Sequence, residues 1–375
     1  MAGIYIHFPF CRQACHYCNF HFSTQTKYQQ QMLTAMHAEL ILRKDELDKP
    51  IESIYFGGGS PSLLPASSIE KIIRLISNNY KLKEGHEITL EANPDDMSLK
   101  YLKDLKYSGV NRVSLGLQSF HDDELKMMNR IHSADQGLKA IEWTANIFDN
   151  YSVDLIYGSP KSDYRSWEYN LDLTLSFDPP HISSYALTVE PKTVLFHQVE
   201  NNKIELLDEE AVKIQYDLLI SKLGKASYEN YEFSNFGKPG YQSVNNSNYW
   251  NGKPFIGIGP SAHSFDGDKT RSWNISNNIK YLKSIEKGDL PQTKEVLKVY
   301  ESFNEFVMIG LRTKGVSLSH INDSFGHKYG LYLEKQVVKH LADHRLFWDG
   351  DVLKVSQQSK FLSDGIAADL FMLRG

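Results

Sequence analysis

The chain reads as an α/β protein, a partial (β/α)6 TIM-type barrel followed by a small winged-helix-like α+β domain, and three observations carry that reading. From residue 3 to about Val189 a short β-rich run and a run of helical period alternate six times. The apolar residues of the helical runs fall on one face, as they must to cover a sheet. Beyond about Val296 the alternation gives way to helices and a hairpin.

The six strand-like runs are GIYIHF (3–8), ESIYFG (52–57), EITLEA (87–92), NRVSLGLQ (111–118), YSVDLIY (151–157) and HISSYALTV (181–189). Among the helical runs, 67–79 opens with Ser67 and Glu70 at capping-box spacing and sets Ile69, Ile72, Ile73 and Ile76 on one face. The run 98–107 opens with Ser98 and repeats Leu99, Leu102 and Leu105. Each helix then serves as a right-handed crossover between parallel strands, which closes toward a barrel; an open doubly wound sheet is the alternative. A further amphipathic helix is expected over 205–223, so the core domain is set at 1–235.

Residues 233–278 are rich in Gly, Asn, Ser and aromatics with little periodicity, and 236–295 is read as an irregular connecting segment carrying NNSNYW. The domain 296–375 follows as helices at 300–312, 318–324 and 328–344, a hairpin FWDGDVLKV and a last helix at 359–372. That stretch carries 10 Lys and Arg against 9 Asp and Glu with no basic stripe, so nucleic acid is not expected as a partner.

Of the 375 residues 41% are hydrophobic and 23% charged, and the formal charge is −5. This is a globular composition long enough for two or three domains without disulfide staples. No stretch approaches the ~18 apolar residues of a membrane span. The mildly acidic balance argues against a general binder of nucleic acid or anionic lipid. MAGIYIHFPF has neither a basic n-region nor a small-residue cleavage site, so a cytoplasmic protein with reduced thiols is expected.

The only cysteines are Cys11, Cys15 and Cys18, spaced C-x-x-x-C-x-x-C directly after the first strand-like run. Three thiolates on one loop can hold three irons of a cubane and leave the fourth iron free for chemistry, whereas an electron-transfer ferredoxin closes its cluster with four. A structural Cys3His zinc site with His7, His16 or His21 is the other reading.

With Tyr17 as its aromatic, the motif C-x-x-x-C-x-aromatic-C resembles the signature of the radical S-adenosylmethionine (SAM) superfamily. The resemblance implies a [4Fe-4S] cluster on Cys11, Cys15 and Cys18 whose open iron chelates the methionine end of SAM, and whose electron cleaves the sulfonium. In a barrel the functional groups belong at the C-terminal ends of the strands. Those positions here are glycine or polar: Gly57-Gly58-Gly59-Ser60 after the second run, Glu91 and Asn93 at the third, Gln118-Ser119 at the fourth, and Asp154 in the fifth. A glycine triplet lets backbone approach a ligand closely.

IYIHFPFC, YFGGGSPS, LEANPDD, GVNRVSLGLQSF, MNRIHS, DLIYGSP, SSYALTVEP, YEFSNFGKPGY and GIGPSAH extend the likeness to the coproporphyrinogen III oxidase-like group, as far as Val316. By that likeness Tyr5, Tyr17, Gly58, Gly59, Ser60, Glu91, Gln118, Arg130, Asp154, Ile156 and Ala186 would line the SAM pocket.

Two branches of the group differ in class: an enzyme that oxidatively decarboxylates a porphyrinogen, and the HemW heme chaperones. The enzyme branch carries a further cysteine two positions after the triad, where this chain has Phe20, and a longer N-terminal extension; the chaperone branch is the better match. It implies heme delivery to respiratory enzymes, a low-potential electron donor such as flavodoxin, and no coproporphyrinogen oxidase activity. Its heme motif H-N-x-x-Y-W stands here as Asn245-Asn246-Ser247-Asn248-Tyr249-Trp250. A carboxamide is a poor axial iron ligand, so Asn245 is not expected to bind iron. Asn246, Tyr249, Trp250 and His263 are the remaining candidates for heme contact.

Overall fold

The computed structural model describes residues 1–373. Two compact units divide the chain, Met1–Glu229 with Phe236–Lys294, and Asn230–Asn235 with the residues from Glu295 onward. In the first unit β1 (Ala2–Phe8), β2 (Ile51–Gly58), β3 (Leu82–Ala92), β4 (Arg112–Gln118), β5 (Tyr151–Tyr157) and β6 (His181–Ala186) pair in parallel, in sequence order. Six strands stand where six runs are expected, so the partial barrel forms as the alternation requires. Between and after them lie α1 (Gln29–Leu42), α2 (Ala66–Asn79), α3 (Leu99–Tyr107), α4 (Asp122–Met127), α5 (Ala134–Ala145), α6 (Tyr164–Ser176), α7 (Val194–Glu200) and α8 (Glu209–Lys225).

The helix starts show which local signals prevail. Ser98 caps α3 by accepting from the Tyr101 N–H, as its position predicts. The expected box of Ser67 and Glu70 does not form: α2 begins at Ala66 behind Pro65, with no side-chain cap. Pro65 needs no N–H of its own there and already sets the entry angle.

Through 236–295, where an irregular segment is expected, and just outside it, the chain forms short elements, most of them wholly in the first unit. These are β7 (Glu229–Asn230), β8 (Asn235–Gly237), α9 (Val244–Trp250), β9 (Phe255–Ile258), β10 (His263–Phe265), β11 (Thr270–Asn274), α10 (Asn278–Glu286) and β12 (Gln292–Val296). They extend the sheet to the order β12-β11-β10-β9-β1-β2-β3-β4-β5-β6-β8-β7. Strands of two to five residues are too short to show a period of two, and polar side chains hold them.

Glu39 on α1 is the centre of that hold. Its buried carboxylate accepts from Gly259 N at 2.8 Å, Asn274 Nδ2 at 2.7 Å, Tyr281 Oη at 2.6 Å and Arg43 Nη1 at 3.2 Å. Arg43 reaches on to Gly257 O at 2.7 Å and Ser264 Oγ at 3.1 Å.

The second unit contains α11 (Val299–Arg312), β13 (Val316–Ser317), α12 (Leu318–Phe325), α13 (His327–Gln336), α14 (Val338–Ala342), β14 (Leu346–Asp349), β15 (Val352–Val355) and α15 (Ser363–Asp369). The strands form an antiparallel sheet in the order β13-β15-β14. Phe303, Val307, Leu311, Ile321, Leu333, Leu353 and Ile366 make its core. Two helices differ from expectation: 328–344 is broken at Val337, and 359–372 is a 3-10 turn over Gln357–Leu362 followed by the short α15.

Removing Glu39 leaves the buried Gly259 N–H and Tyr281 hydroxyl without their acceptor, while Arg43 keeps Glu46 at 2.7 Å; a stranded buried donor costs ~1–3 kcal/mol. Glu39→Ala is therefore expected to lower unfolding stability by about that much, and Glu39→Gln by less, in urea denaturation followed by circular dichroism.

Candidate functional site in the barrel

Successive residues of a strand face opposite sides, and in β1–β6 the two sides differ in chemistry. One set is apolar and buried: Ile4, Ile6, Phe8, Ile54, Phe56, Ile88, Leu90, Val113, Leu115, Val153 and Leu155. The alternate set is largely polar and lines the lumen: Tyr5, Tyr55, Glu91, Arg112, Ser114, Asp154, Ser183 and Tyr185. Barrel interiors of this type are usually packed with branched apolar side chains. A lumen lined with carboxylates, hydroxyls and a guanidinium is instead built to hold something polar.

Much of that lumen is already hydrogen-bonded. Asp154 accepts from Ser114 Oγ at 2.9 Å and Ser152 Oγ at 2.8 Å. Glu91 accepts from Tyr55 Oη at 2.8 Å. Burial pushes the Glu91 carboxyl up to about 7 against the Tyr55 hydroxyl's pull; burial also raises Asp154, against its serine donors. Below, α9 plugs the lumen: Val244 N and Asn245 N donate to Glu87 at 3.1 and 3.3 Å, and Asn248 Nδ2 donates to Ser53 Oγ at 3.3 Å.

The cysteine loop is pinned along its length. At its root Gly59 N donates to Phe8 O and Ser60 N to Phe10 O, each at 2.8 Å. A Cβ on Gly59 would lie 2.5 Å from Phe10 O, so only glycine allows this approach. Its two limbs are tied by Ser23 N to Pro9 O and Cys11 N to Ser23 O. Its middle is held by Asn129 Nδ2 on Ala14 O at 2.7 Å and Gln13 Nε2 on Asn129 O at 2.9 Å.

All three histidines of the zinc reading are otherwise engaged. His7 Nε2 donates to His21 O, His16 Nδ1 to Met127 O, and His21 Nε2 meets Asn278 Oδ1, at 2.8, 2.8 and 2.7 Å. Among the described residues no three His, Cys, Asp or Glu side chains are grouped so as to hold a single ion.

Two adjoining cavities open here. Cys11, Cys15 and Cys18 line the first, with Tyr17, Gly58, Gly59, Ser60, Glu91, Asn93, Gln118, Arg130 and Asp154. The second shares Tyr17, Cys18, Phe20, Glu91, Ser114, Gln118 and Asp154 with it, and adds Tyr5, Tyr55, Arg112, Ile156, Ser183, Tyr185, Ala186, Asn245, Asn246 and Tyr249. Every residue that the resemblance assigns to SAM thus lies on one wall or the other. Asn246 and Tyr249 line the second cavity; Trp250 lines neither, and His263 sits on β10, exposed and stacked on Trp273 at 5.9 Å.

Gln118 takes a left-handed φ of 67° where the β4–β5 register shifts, a strained backbone that carries its side chain into both cavities. Tyr55, Arg112, Ser114, Ser183 and Tyr185 escape motif reading, although the polar half of each strand's alternation points to them.

The donor set fits an iron–sulfur centre. Three soft thiols share one cavity wall, and Arg130 Nη1 stands 3.6 Å from Cys15 Sγ. Burial raises Cys11 to about 12, with the neighbouring Ser60 hydroxyl opposing, and Cys18 to about 11. Such thiols ionise when a metal takes the charge.

Comparison with known proteins agrees with this geometry. The Radical SAM superfamily model matches residues 5–173. The chain is 34% identical to heme chaperone HemW of Bacillus subtilis over 98% of both chains. It is 30% identical to that of Mycobacterium tuberculosis over 98% of this chain and 94% of the other, and 34% identical to that of Synechocystis over 85% and 80%. Among solved structures, coproporphyrinogen III oxidase (HemN) from Escherichia coli, a radical SAM enzyme, superposes with a TM-score of 0.85 at 21% identity, over 100% of this chain and 90% of that one, a likeness of fold. The signature cysteines on their pinned loop, the polar barrel behind them and the end-to-end relatives together place the chain in the HemW family of the radical SAM superfamily.

Proposed function

We propose that this protein is a heme chaperone of the HemW type, which holds a [4Fe-4S] cluster on Cys11, Cys15 and Cys18, binds SAM beside it, and hands heme to respiratory enzymes. The observation that carries the reading is the convergence of the three thiols and the polar lumen on two adjoining cavities, in a chain whose full-length relatives are heme chaperones. When bound, the cluster supplies an electron and an open iron position for the methionine end of SAM.

The chain's own residues do the rest. Gly58 and Gly59 bring backbone to the cavity wall, and Glu91 and Asp154 offer negative charge to a ligand bearing a sulfonium and an ammonium. Tyr5, Tyr17, Ser60, Gln118, Arg130, Ile156 and Ala186 complete the SAM walls. Phe20, 67% exposed at the rim shared by both cavities, stands where the oxidase branch carries a cysteine; with Tyr185 and Tyr249 it presents apolar surface to a porphyrin face. Asn245 is no iron ligand in this reading: it is buried, with Ser53 Oγ on its carbonyl at 3.4 Å and its N–H on Glu87. A flavodoxin-like donor would supply electrons in the cytoplasm, and heme-accepting respiratory proteins would receive the cargo. Among the described residues no helix is long and apolar enough to cross a membrane.

Anaerobic reconstitution with iron and sulfide is expected to give the visible absorbance of a cubane cluster, lost in Cys15→Ala; stoichiometric zinc in place of iron would defeat the proposal. Glu91 is neutral below about 7 and ionised above it, so SAM binding should tighten as pH rises through that value. In Glu91→Gln the dependence should vanish and affinity at pH 8 fall about tenfold or more, the loss of one charge-assisted hydrogen bond. Calorimetric titration across pH 6 to 8, roughly a pKa unit either side, reads both. On mixing with heme, the Soret band should shift, and Asn245→His, which adds an imidazole, should tighten binding, with His263→Ala run alongside to read that side chain's share. Coproporphyrinogen III should not be decarboxylated by the reduced protein with SAM; product formation would move it to the oxidase branch.

A further inference from the structure

A chain of side-chain hydrogen bonds that belongs to no strand ladder runs along the cysteine loop and ends on one of its thiols. Ser60, which follows β2, lines the first cavity together with Cys11, and its N–H donates to the carbonyl of Phe10, the residue before that cysteine, at 2.8 Å. Ser60 Oγ accepts from Asn93 Nδ2 at 2.8 Å. Asn93, which follows β3, accepts in turn on Oδ1 from Arg130 Nη2 at 2.9 Å. Arg130 Nη1 then donates to Cys15 Sγ at 3.6 Å.

The guanidinium has little freedom, because the same Nη2 also donates to Gly116 O at 2.7 Å. Its Nε is buried without a hydrogen-bond partner, and it forms no ion pair with a carboxylate among the described residues. A half-buried cation whose hydrogen-bond partners are all neutral is poorly compensated. The group it is aimed at is a sulfur, which becomes an anion as a metal-bound thiolate.

We propose that Ser60, Asn93 and Arg130 act as the outer shell of the cluster, orienting the sulfur of Cys15 and holding the cluster's reduction potential up. The inference rests on the reading of the cysteine loop as a cluster site, and it adds to the SAM contact assigned to Ser60 and Arg130. Hydrogen bonds donated to ligand sulfur and a nearby positive charge favour the reduced cluster, which carries one more negative charge, and so raise its potential. Asn93 is the positioning residue. It donates to Ser60 and accepts from Arg130, so it fixes the guanidinium that faces Cys15, and no hydrophobic or acidic side chain of the same size can do both.

The test is a mediated redox titration of the reconstituted full chain without SAM, followed by electron paramagnetic resonance. It compares the wild type with Arg130→Met, Arg130→Lys and Asn93→Asp. Arg130→Met removes charge and hydrogen bond, and the midpoint is expected to move to a more negative potential. Arg130→Lys keeps the charge without the planar fork and should shift less. Asn93→Asp still accepts from Arg130 but loses the donor to Ser60 and adds a negative charge, so it should also shift downward. Unchanged midpoints in variants with full iron content would overturn the inference and leave the cluster reading intact. Failure of the wild type to assemble any cluster would overturn that reading instead. Should Arg130→Met not assemble, the Asn93→Asp midpoint decides: a downward shift supports the outer shell and an unmoved one rejects it.

Discussion

The site depends on one close approach of backbone to backbone, between residues 8–10 and residues 59–60. Two hydrogen bonds cross there, and the space is so narrow that a methyl group on Gly59 would enter the Phe10 carbonyl. Gly58 beside it takes a φ of +105°, and a Cβ there would press on the His7 ring at 2.8 Å. Burial lowers His7 to about 4, so its ring is neutral at physiological pH and free to donate from Nε2 to the His21 carbonyl at the far limb of the loop. The glycine triplet therefore does more than admit a ligand. It lets β2 support the stem of the cysteine loop, and the thiols inherit their placement from that support.

A second constraint follows from the period of two. Parallel strands covered by helices need apolar residues outward, and the six strands supply them without spending the alternate positions. Those positions carry Glu87, Glu91, Arg112, Ser114, Ser152, Asp154, His181 and Ser183 into the barrel. Burying so many polar groups is tolerable only if they satisfy one another. The serines on Asp154, Tyr55 on Glu91 and the backbone of α9 on Glu87 do so, and Glu91, Arg112 and Asp154 face the second cavity. The raised Glu91 carboxyl is the electrostatic trace of that arrangement: it ionises more readily when a positive ligand arrives.

How much of this was legible beforehand follows from the length of each signal. Six β-rich runs alternating with amphipathic helices are long, repeated patterns, and they set the strands to within a few residues. The cysteine spacing and the glycine triplet are local and chemically narrow, so the thiols and many residues that line the two cavities could be named from motifs. The segment after Asn235 was opaque because its strands are two to five residues long and are held by Glu39 and Arg43, some two hundred residues away in sequence. Contacts of that kind leave no periodic mark. Arg112 and Ser114 were readable in principle, since each sits at an alternate strand position, but a motif search passes over single polar residues within a run. The α2 cap failed for a local reason, because Pro65 had already fixed the helix start.

The likeness of fold to a coproporphyrinogen oxidase shows why architecture alone cannot choose between the branches of this family. A shared fold does not separate the branches, so groups at the edge of the cavities are where discrimination is to be sought. Phe20 is such a group: it follows the last cysteine by two residues, faces outward, and borders both cavities. A cysteine there could act on a reacting substrate, whereas a phenyl ring can only exclude water and press on a flat ligand. Asn245 points the same way from below. It is buried in the α9 plug with its backbone on Glu87, in a place where its side chain supports the barrel floor. Under the proposed function, a porphyrin in the second cavity would be held by ring faces at the rim and by shape, a grip suited to a cargo that must be released.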